Sequence, residues 1–314
     1  MDELQSRKAS TIKAEPVKWL WPDVFPLKSL SILFGEPGVG KSQLTCALAA
    51  AVSKGSALPL KQGKAPKGNV LLMSFEDRAE DTVIPRLTAA GANMQNVHIL
   101  GDVKAANGKR FFNMRRDVPL FAAKAKEVKN VRLIVIDPVM VYQGNVRDVT
   151  AALANLAGQT GACIIGVTHP AKGKDDRPLG SIAWEGQARA VYGVKRRGAA
   201  FLMWPYKGNL AAQQNAFTYS IEPHTLKGTR IRTSAACFST VEEWVPVNGG
   251  DRPVDAAAAF LRVRLEDGAL PSVELSQAAV QAGHKLRTVI RARDQLNVQS
   301  FQRDGKWFME LPGG

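Results

Sequence analysis

Acidic residues are scarce in this sequence. Asp and Glu number 28 against 42 Lys and Arg, which leaves a formal charge of +14 at pH 7. Such a balance disfavours polycationic partners and favours polyanions, nucleic acid or an anionic lipid surface, although solubility alone is a second reading of the same charge. Cysteine is rarer still. Cys46, Cys163 and Cys237 form no CxxC pair, which excludes a disulfide scaffold and suits a reducing cytoplasm. The four histidines, His98, His169, His224 and His284, lie far apart and form no zinc pattern. Long apolar runs are missing as well. The stretch "CALAAAV" falls far short of the ~18–20 residues of a membrane span, and "MDELQSRKAS" holds no secretory core, so no membrane is expected.

What is present is ordinary globular material, 45% hydrophobic and 22% charged over 314 residues, enough for two domains. Residues 1–28 read as an arm ending in "WLWP", whose rings are expected on the main core. From 29 to about 206, apolar strands alternate with helices. The strands are "SLSILFG", "NVLLMSFE", "VHIL", "VRLIVIDP" and "ACIIGVTH"; the helices lie near 41–53, 79–90, 117–129 and 148–160. Near-continuous apolar strands between helices indicate a mostly parallel sheet covered on both faces, an α/β fold. "AFTYSIEP" and "GTRIRTS" alternate instead, as antiparallel strands at a sheet edge do, so one domain spans 29–244. "VPVNGGDRPVD" marks a linker at 245–253. Residues 254–314 read as three helices and a hairpin turning at Asp304-Gly305, the layout of a small winged-helix-like domain.

The chemistry begins at Gly35, Glu36, Pro37, Gly38, Val39, Gly40, Lys41 and Ser42. This is G-x-x-x-x-G-K-S between an expected strand and an expected helix. A permissive glycine turn would account for the glycines. A phosphate cradle accounts for every fixed position: backbone N–H groups converge on phosphate oxygens, the helix start adds its own, Lys41 neutralises the β/γ-phosphates, and Ser42 ligates Mg²⁺. Gln43 completes the expected nucleotide contacts. By itself this pattern implies ATP or GTP, with Mg²⁺. Asp137 ends a buried strand where a second Mg²⁺ anchor is needed. Glu76 and Asp77 end another core strand; Glu76 suits the base that activates water, and a salt bridge to Arg78 or Arg86 is the competing structural reading.

In this order, "WLWP…SLSILFGEPGVGKS", "LLMSFED", "LIVIDP" and "GVTHPAKG" resemble the RecA/DnaB branch of P-loop ATPases. The likeness is to plasmid RepA-type hexameric replicative helicases and related phage and prophage ATPases of the AAA type, and it covers residues 19–210. The resemblance implies a RecA-like sheet. It gives Glu76 the catalytic-glutamate place, Asp77 a supporting place, and His169 a place sensing the γ-phosphate. "LGSIAWEGQARAVYGV" is similar to a segment ending in an arginine finger, which nominates Arg189, with Arg196 and Arg197 as rivals. That finger would reach the nucleotide of a neighbouring copy, and Lys207 and Asn209 in "YKGN" resemble residues near the same nucleotide. Two DNA-binding loops are implied at 139–148, which contains Arg147, and at 171–181, which contains Lys172, Lys174 and Arg177. The implied partners are single-stranded DNA and copies of the same chain, a hexamer with ATP at its interfaces. A primase, initiator or loader is a further candidate.

Two basic regions remain. Residues 104–132 hold nine Lys and Arg against Asp117 and Glu127, which reads either as a DNA path or as a solvated face. In the last domain Lys285, Arg287 and Arg291 gather on one expected helix, suited to DNA or to a protein partner. The leading expectation is an ATP-driven motor on single-stranded DNA, to which the resemblance alone adds a 5′–3′ direction. A recombination-mediator ATPase and an ATP-switched DNA-binding regulator are the alternatives; the ~30 residues before the P-loop leave no room there for a primase or recombinase-type domain.

Overall fold

The computed structural model describes residues 6–139, 146–171, 174–179, 181–211, 215–242, 253–266, 268–282, 284–303 and 305–312. The chain divides into two units, Met1–Trp244 and Val245–Gly314. Lys172, Asp304, the middle of the first expected DNA loop and most of the expected linker lie outside the described residues, as do the side chains of Lys174 and Arg177.

The larger unit is built on a nine-stranded sheet. Its strands in chain order are β1 (Ser29–Gly35), β2 (Asn69–Ser74), β3 (Val97–Leu100), β4 (Val131–Asp137), β5 (Cys163–Thr168), β6 (Ala190–Arg197), β7 (Ala200–Gly208), β8 (Ala216–Thr225) and β9 (Arg232–Glu242). Their spatial order is β9-β8-β7-β6-β1-β5-β4-β2-β3. From β6 to β3 all pairings are parallel, and β7, β8 and β9 extend the sheet antiparallel. Parallel neighbours need crossovers, and helices supply them. The crossover from β1 to β2 contains α1 (Lys41–Lys54), and that from β2 to β3 contains α2 (Ile84–Ala89). α3 (Val118–Val128) leads into β4, α4 (Val146–Thr160) into β5, and α5 (Ser181–Gln187) into β6.

Alternation along the strands divides the core in two. Leu30, Ile32 and Phe34 of β1 join Phe121 of α3, Leu153 of α4 and Trp184 of α5 on one face. Leu33 joins Leu44, Leu48 and Val52 of α1 on the other. Both faces of the central strands are thus covered and dry, which is why those strands read as unbroken apolar runs. Trp21 is fully buried in the second core, against Phe25, Phe217 and Phe238, so the expected anchoring of "WLWP" is met by that ring. The stretch 79–90, expected as one helix, is a π-helical turn at Ala79–Val83 followed by α2, with Pro85 at its start.

The smaller unit runs α6 (Pro253–Leu265), β10 (Leu270–Pro271), α7 (Ser272–Gln281), α8 (Leu286–Gln295), β11 (Gln299–Arg303) and β12 (Lys306–Glu310), with its sheet in the order β10-β12-β11. Leu261, Leu275, Val289 and Met309 are at the centre of its own core.

Candidate functional site

Six parallel strands end at one edge of the large sheet, and the chemically equipped residues follow those ends. Register fixes their neighbourhood. Phe34 pairs with Thr168, Ile136 with Gly166, and Ser74 with Asp137. The ends of β1, β5, β4 and β2 therefore stand side by side, and they bring the P-loop, His169, Asp137 and the Glu76-Asp77 turn together. This is the edge where ligands bind in open α/β sheets.

Between β1 and α1 the P-loop is gripped from two sides. At Gly35 a Cβ would fall 2.2 Å from the Val194 carbonyl oxygen, so β6 leaves room for hydrogen alone. Gly40 has φ +78°, and a Cβ there would fall 2.3 Å from Ile221 Cδ1. The Tyr219 hydroxyl donates to the Val39 carbonyl at 2.9 Å. Tyr219 and Ile221 come from β8, about 180 positions downstream, and nothing near the motif announces them. No side chain caps α1 at Gly40, so its first N–H groups keep their capacity for an anion. Glu36, Pro37 and Gly38 are exposed.

Lys41 is buried at 7% exposure, and its ammonium donates to the Gly35 and Glu36 carbonyls at 2.7 and 2.9 Å. Burial holds it below the ordinary lysine value, while Asp137, Glu76 and Glu36 pull the other way. Asp137 is pushed above the usual carboxylate value by burial, opposed by a hydrogen bond with Ser42 and by the charge of Lys41. Ser42 and Asp137 are thus neighbours at the site. Among the described residues no group of three His, Cys, Asp or Glu could hold a metal by itself. One hydroxyl and one carboxylate suit Mg²⁺, which keeps several waters and takes its other ligands from substrate phosphates.

Glu76 is exposed, with its side chain 65% accessible, and its Oε1 lies 3.8 Å from His169 Nε2. His169 Nδ1 is buried without a hydrogen-bond partner. Asp77, expected beside Glu76 in catalysis, pairs with Arg86 at 2.5 Å, and its N–H donates to Ser74 Oγ. Gln43, expected at the nucleotide, turns its side chain the other way: its amide oxygen accepts from Arg86 Nε at 3.1 Å and its nitrogen donates to the Ser234 carbonyl at 2.8 Å. Arg86 therefore ties the turn that holds Glu76 to the first turn of α1, a structural role that the sequence raised only as a competing reading of the carboxylates.

The other arginine and lysine candidates separate by topology. Arg189 precedes β6, and its N–H donates to the Leu30 carbonyl at 2.9 Å. That is the opposite edge of the sheet, five strand residues or about 17 Å from Gly35. Because β7 runs antiparallel to β6, its end returns to that far edge. Lys207 pairs there with Val191 and donates to the Ala188 carbonyl at 3.1 Å, and the Asn209 N–H donates to the Arg189 carbonyl. Chain direction thus puts Lys207 and Asn209 beside Arg189 at the far edge, away from this chain's own P-loop. Arg196 and Arg197 lie past Val194, which pairs with Gly35, and so stand at the P-loop edge; the Arg196 guanidinium lies 5.0 Å from the Phe201 ring centre. Arg147, at the start of α4, is exposed, as are Lys285, Arg287 and Arg291 at and along α8.

A P-loop between strand and helix, a Ser42–Asp137 pair and a mixed sheet with β5 inserted between β1 and β4 define a RecA-like P-loop ATPase. The sequence matches the model of the AAA domain family over residues 2–175, and the chain belongs to that family. Among solved structures, a KaiC-like protein from the hyperthermophilic archaeon Pyrococcus horikoshii OT3 superposes with a TM-score of 0.49 at 17% identity, covering 72% of this chain and 100% of that one. No curated protein matches the sequence. Among the described residues no helix is long and apolar enough to cross a membrane.

Proposed function

We propose that this ATPase is a motor on single-stranded DNA, a ring-forming replicative helicase of the RepA type. Lys41 neutralises the β/γ-phosphates, and Ser42 with Asp137 holds Mg²⁺, whose charge offsets that of the phosphates. Glu76 accepts a proton from the attacking water. His169, next to Glu76, reports the state of the site to the loop that follows it. Arg189 of a neighbouring copy approaches the transferred phosphate, with Arg196 and Arg197 as rivals. Head-to-tail repetition of that contact closes a ring when the rotation allows. In the smaller unit the order α6-β10-α7-α8-β11-β12 suits a winged helix. Lys285, Arg287 and Arg291 of its α8 region then meet DNA phosphates or a groove.

The observation that carries this reading is the convergence of Lys41, Ser42, Asp137 and Glu76 at one sheet edge of a chain with a charge of +14. Particle imaging with an ATP analogue and oligo-dT, paired with a strand-displacement assay, tests it. Closed rings and ATP-dependent displacement are expected. Filaments without displacement would favour a recombination mediator, and tight binding to one duplex sequence without ATPase stimulation would favour a regulator. Mixing Arg189→Ala with Lys41→Ala chains tests the shared site. Recovery of turnover in the mixture is expected, because an intact interface then forms; mixtures as inactive as their components would remove Arg189 from the role.

A further inference from the structure

Residues 101–117 follow the end of β3, at the same sheet edge as the P-loop, and form a feature that nucleotide chemistry does not use. Val103–Ala105 and Gly108–Arg110 pair as a short hairpin in which Lys104 lies directly opposite Lys109. Like charges in that position destabilise a hairpin unless an anion lies between them. Immediately after it, Phe111 is 88% exposed. The ring's backbone is firmly held. Asp117, 3% exposed, accepts both guanidinium nitrogens of Arg110 at 2.5 and 2.8 Å and Arg116 Nε at 3.1 Å, and Arg110 also donates to the Phe111 carbonyl. The Asn113 side chain accepts the N–H groups of Arg115 and Arg116. The Phe111 ring, so exposed on an ordered and basic loop, is open to stacking by a ligand.

From this we infer that the 103–116 loop is a binding site for single-stranded nucleic acid, with Phe111 stacking on a base and Lys104, Lys109 and Arg115 meeting the phosphates on either side. Every base offers a π-face, so such a platform tolerates any sequence. Beside the hairpin a cleft of about 750 Å³, lined by Met73, Leu100, Phe112, Leu120 and Lys104 among others, offers apolar walls to a neighbouring base. Asp102 and Glu127 also line it and dilute its charge, which leaves the phosphate contacts to the hairpin. The loop is connected mechanically to catalysis. Phe112 packs on Phe75 with ring centres 6.3 Å apart, and Phe75 adjoins Glu76. Strand binding at Phe111 therefore acts on the turn that aims the water-activating carboxylate.

The inference rests on the proposed reading of the chain as an ATPase acting on single strands, and one experiment separates the two. Full-length wild type, Phe111→Ala, Phe111→Trp and Lys104→Ala/Lys109→Ala are compared by fluorescence anisotropy with oligo-dT over a salt series, and by ATPase rate with and without it. Phe111→Ala is expected to weaken binding by roughly five- to a hundred-fold with an unchanged salt slope. It also loses the stimulation of turnover by oligo-dT and keeps the basal rate. Phe111→Trp retains binding. The double lysine variant lowers the salt slope by about 1.4, for two phosphates on a single strand. Wild-type stimulation with Phe111→Ala binding as tightly as wild type would overturn this inference and leave the motor reading standing. A wild type that neither binds oligo-dT nor responds to it would overturn both.

Discussion

The two edges of the large sheet are built from the same strands, yet they treat charge in opposite ways. At the carboxyl edge, buried Lys41 and Asp137 converge with exposed Glu76, and burial shifts Lys41 and Asp137 in the directions that disfavour their charged forms. At the amino edge, Lys207 donates to the Ala188 carbonyl and the backbone of Arg189 is tied to Leu30 and Asn209. One edge keeps charged groups against the cost of burial; at the other, ordinary hydrogen bonds take up the Lys207 ammonium and the backbone of Arg189. The difference teaches that a charged residue near a RecA-like core acquires a role from the strand end on which it stands, which motif order alone does not reveal.

Substitutions at the two edges should therefore part sharply. Lys41→Ala is expected to abolish turnover and nucleotide binding, measured by calorimetry, while the fold persists. Asp117→Asn is next, on the carboxyl side but outside the nucleotide site. Arg110 holds the Asp117 carboxylate well below its ordinary value of 3.8, against the opposing effect of burial. Its folded pKa is depressed, so its contribution to stability is complete above the unfolded value and is lost as pH falls from about 4 toward the folded one. Asp117→Asn should lower stability at neutral pH, since Arg110 and Arg116 lose the carboxylate they share. Chemical denaturation should also show the wild-type advantage shrinking below about pH 4. Arg86→Met should lower kcat by roughly ten- to a hundred-fold with nucleotide affinity nearly kept, because it loosens the Glu76-Asp77 turn without touching phosphate. The smallest effect is expected at the amino edge. Lys207→Met should cost about 1 kcal/mol of stability or less and leave the turnover of dilute, unassembled chain unchanged. A large loss there would erase the contrast between the edges.

Much of this was legible in the sequence where chemistry and local structure coincide. The apolar strands, the helices between them and "GEPGVGKS" announce a covered parallel sheet and a phosphate loop, because burial on both faces removes alternation and a P-loop needs its strand and helix adjacent. The hairpin of β11 and β12 was readable from its alternation. What was not readable came from distant contacts and chain direction. Tyr219 and Ile221 brace the P-loop from the other end of the domain. Gln43 looks like a nucleotide contact until β9 brings Ser234 beside it. Lys207 and Asn209 lie at the end of β7, and its antiparallel sense, which takes them to the far edge, depends on sheet pairing. Phe111 is inconspicuous inside a run of basic residues because exposure is not a sequence property.

The most direct test of the assigned site is single-turnover hydrolysis of ATP by Glu76→Gln, with nucleotide binding measured in parallel. The expected result is nucleotide bound as tightly as by wild type, with cleavage slowed by roughly 10²–10⁴-fold, the loss that follows removal of a general base. Hydrolysis at the wild-type rate by Glu76→Gln would contradict the assignment of Glu76 and, with it, the carboxyl-edge site as drawn.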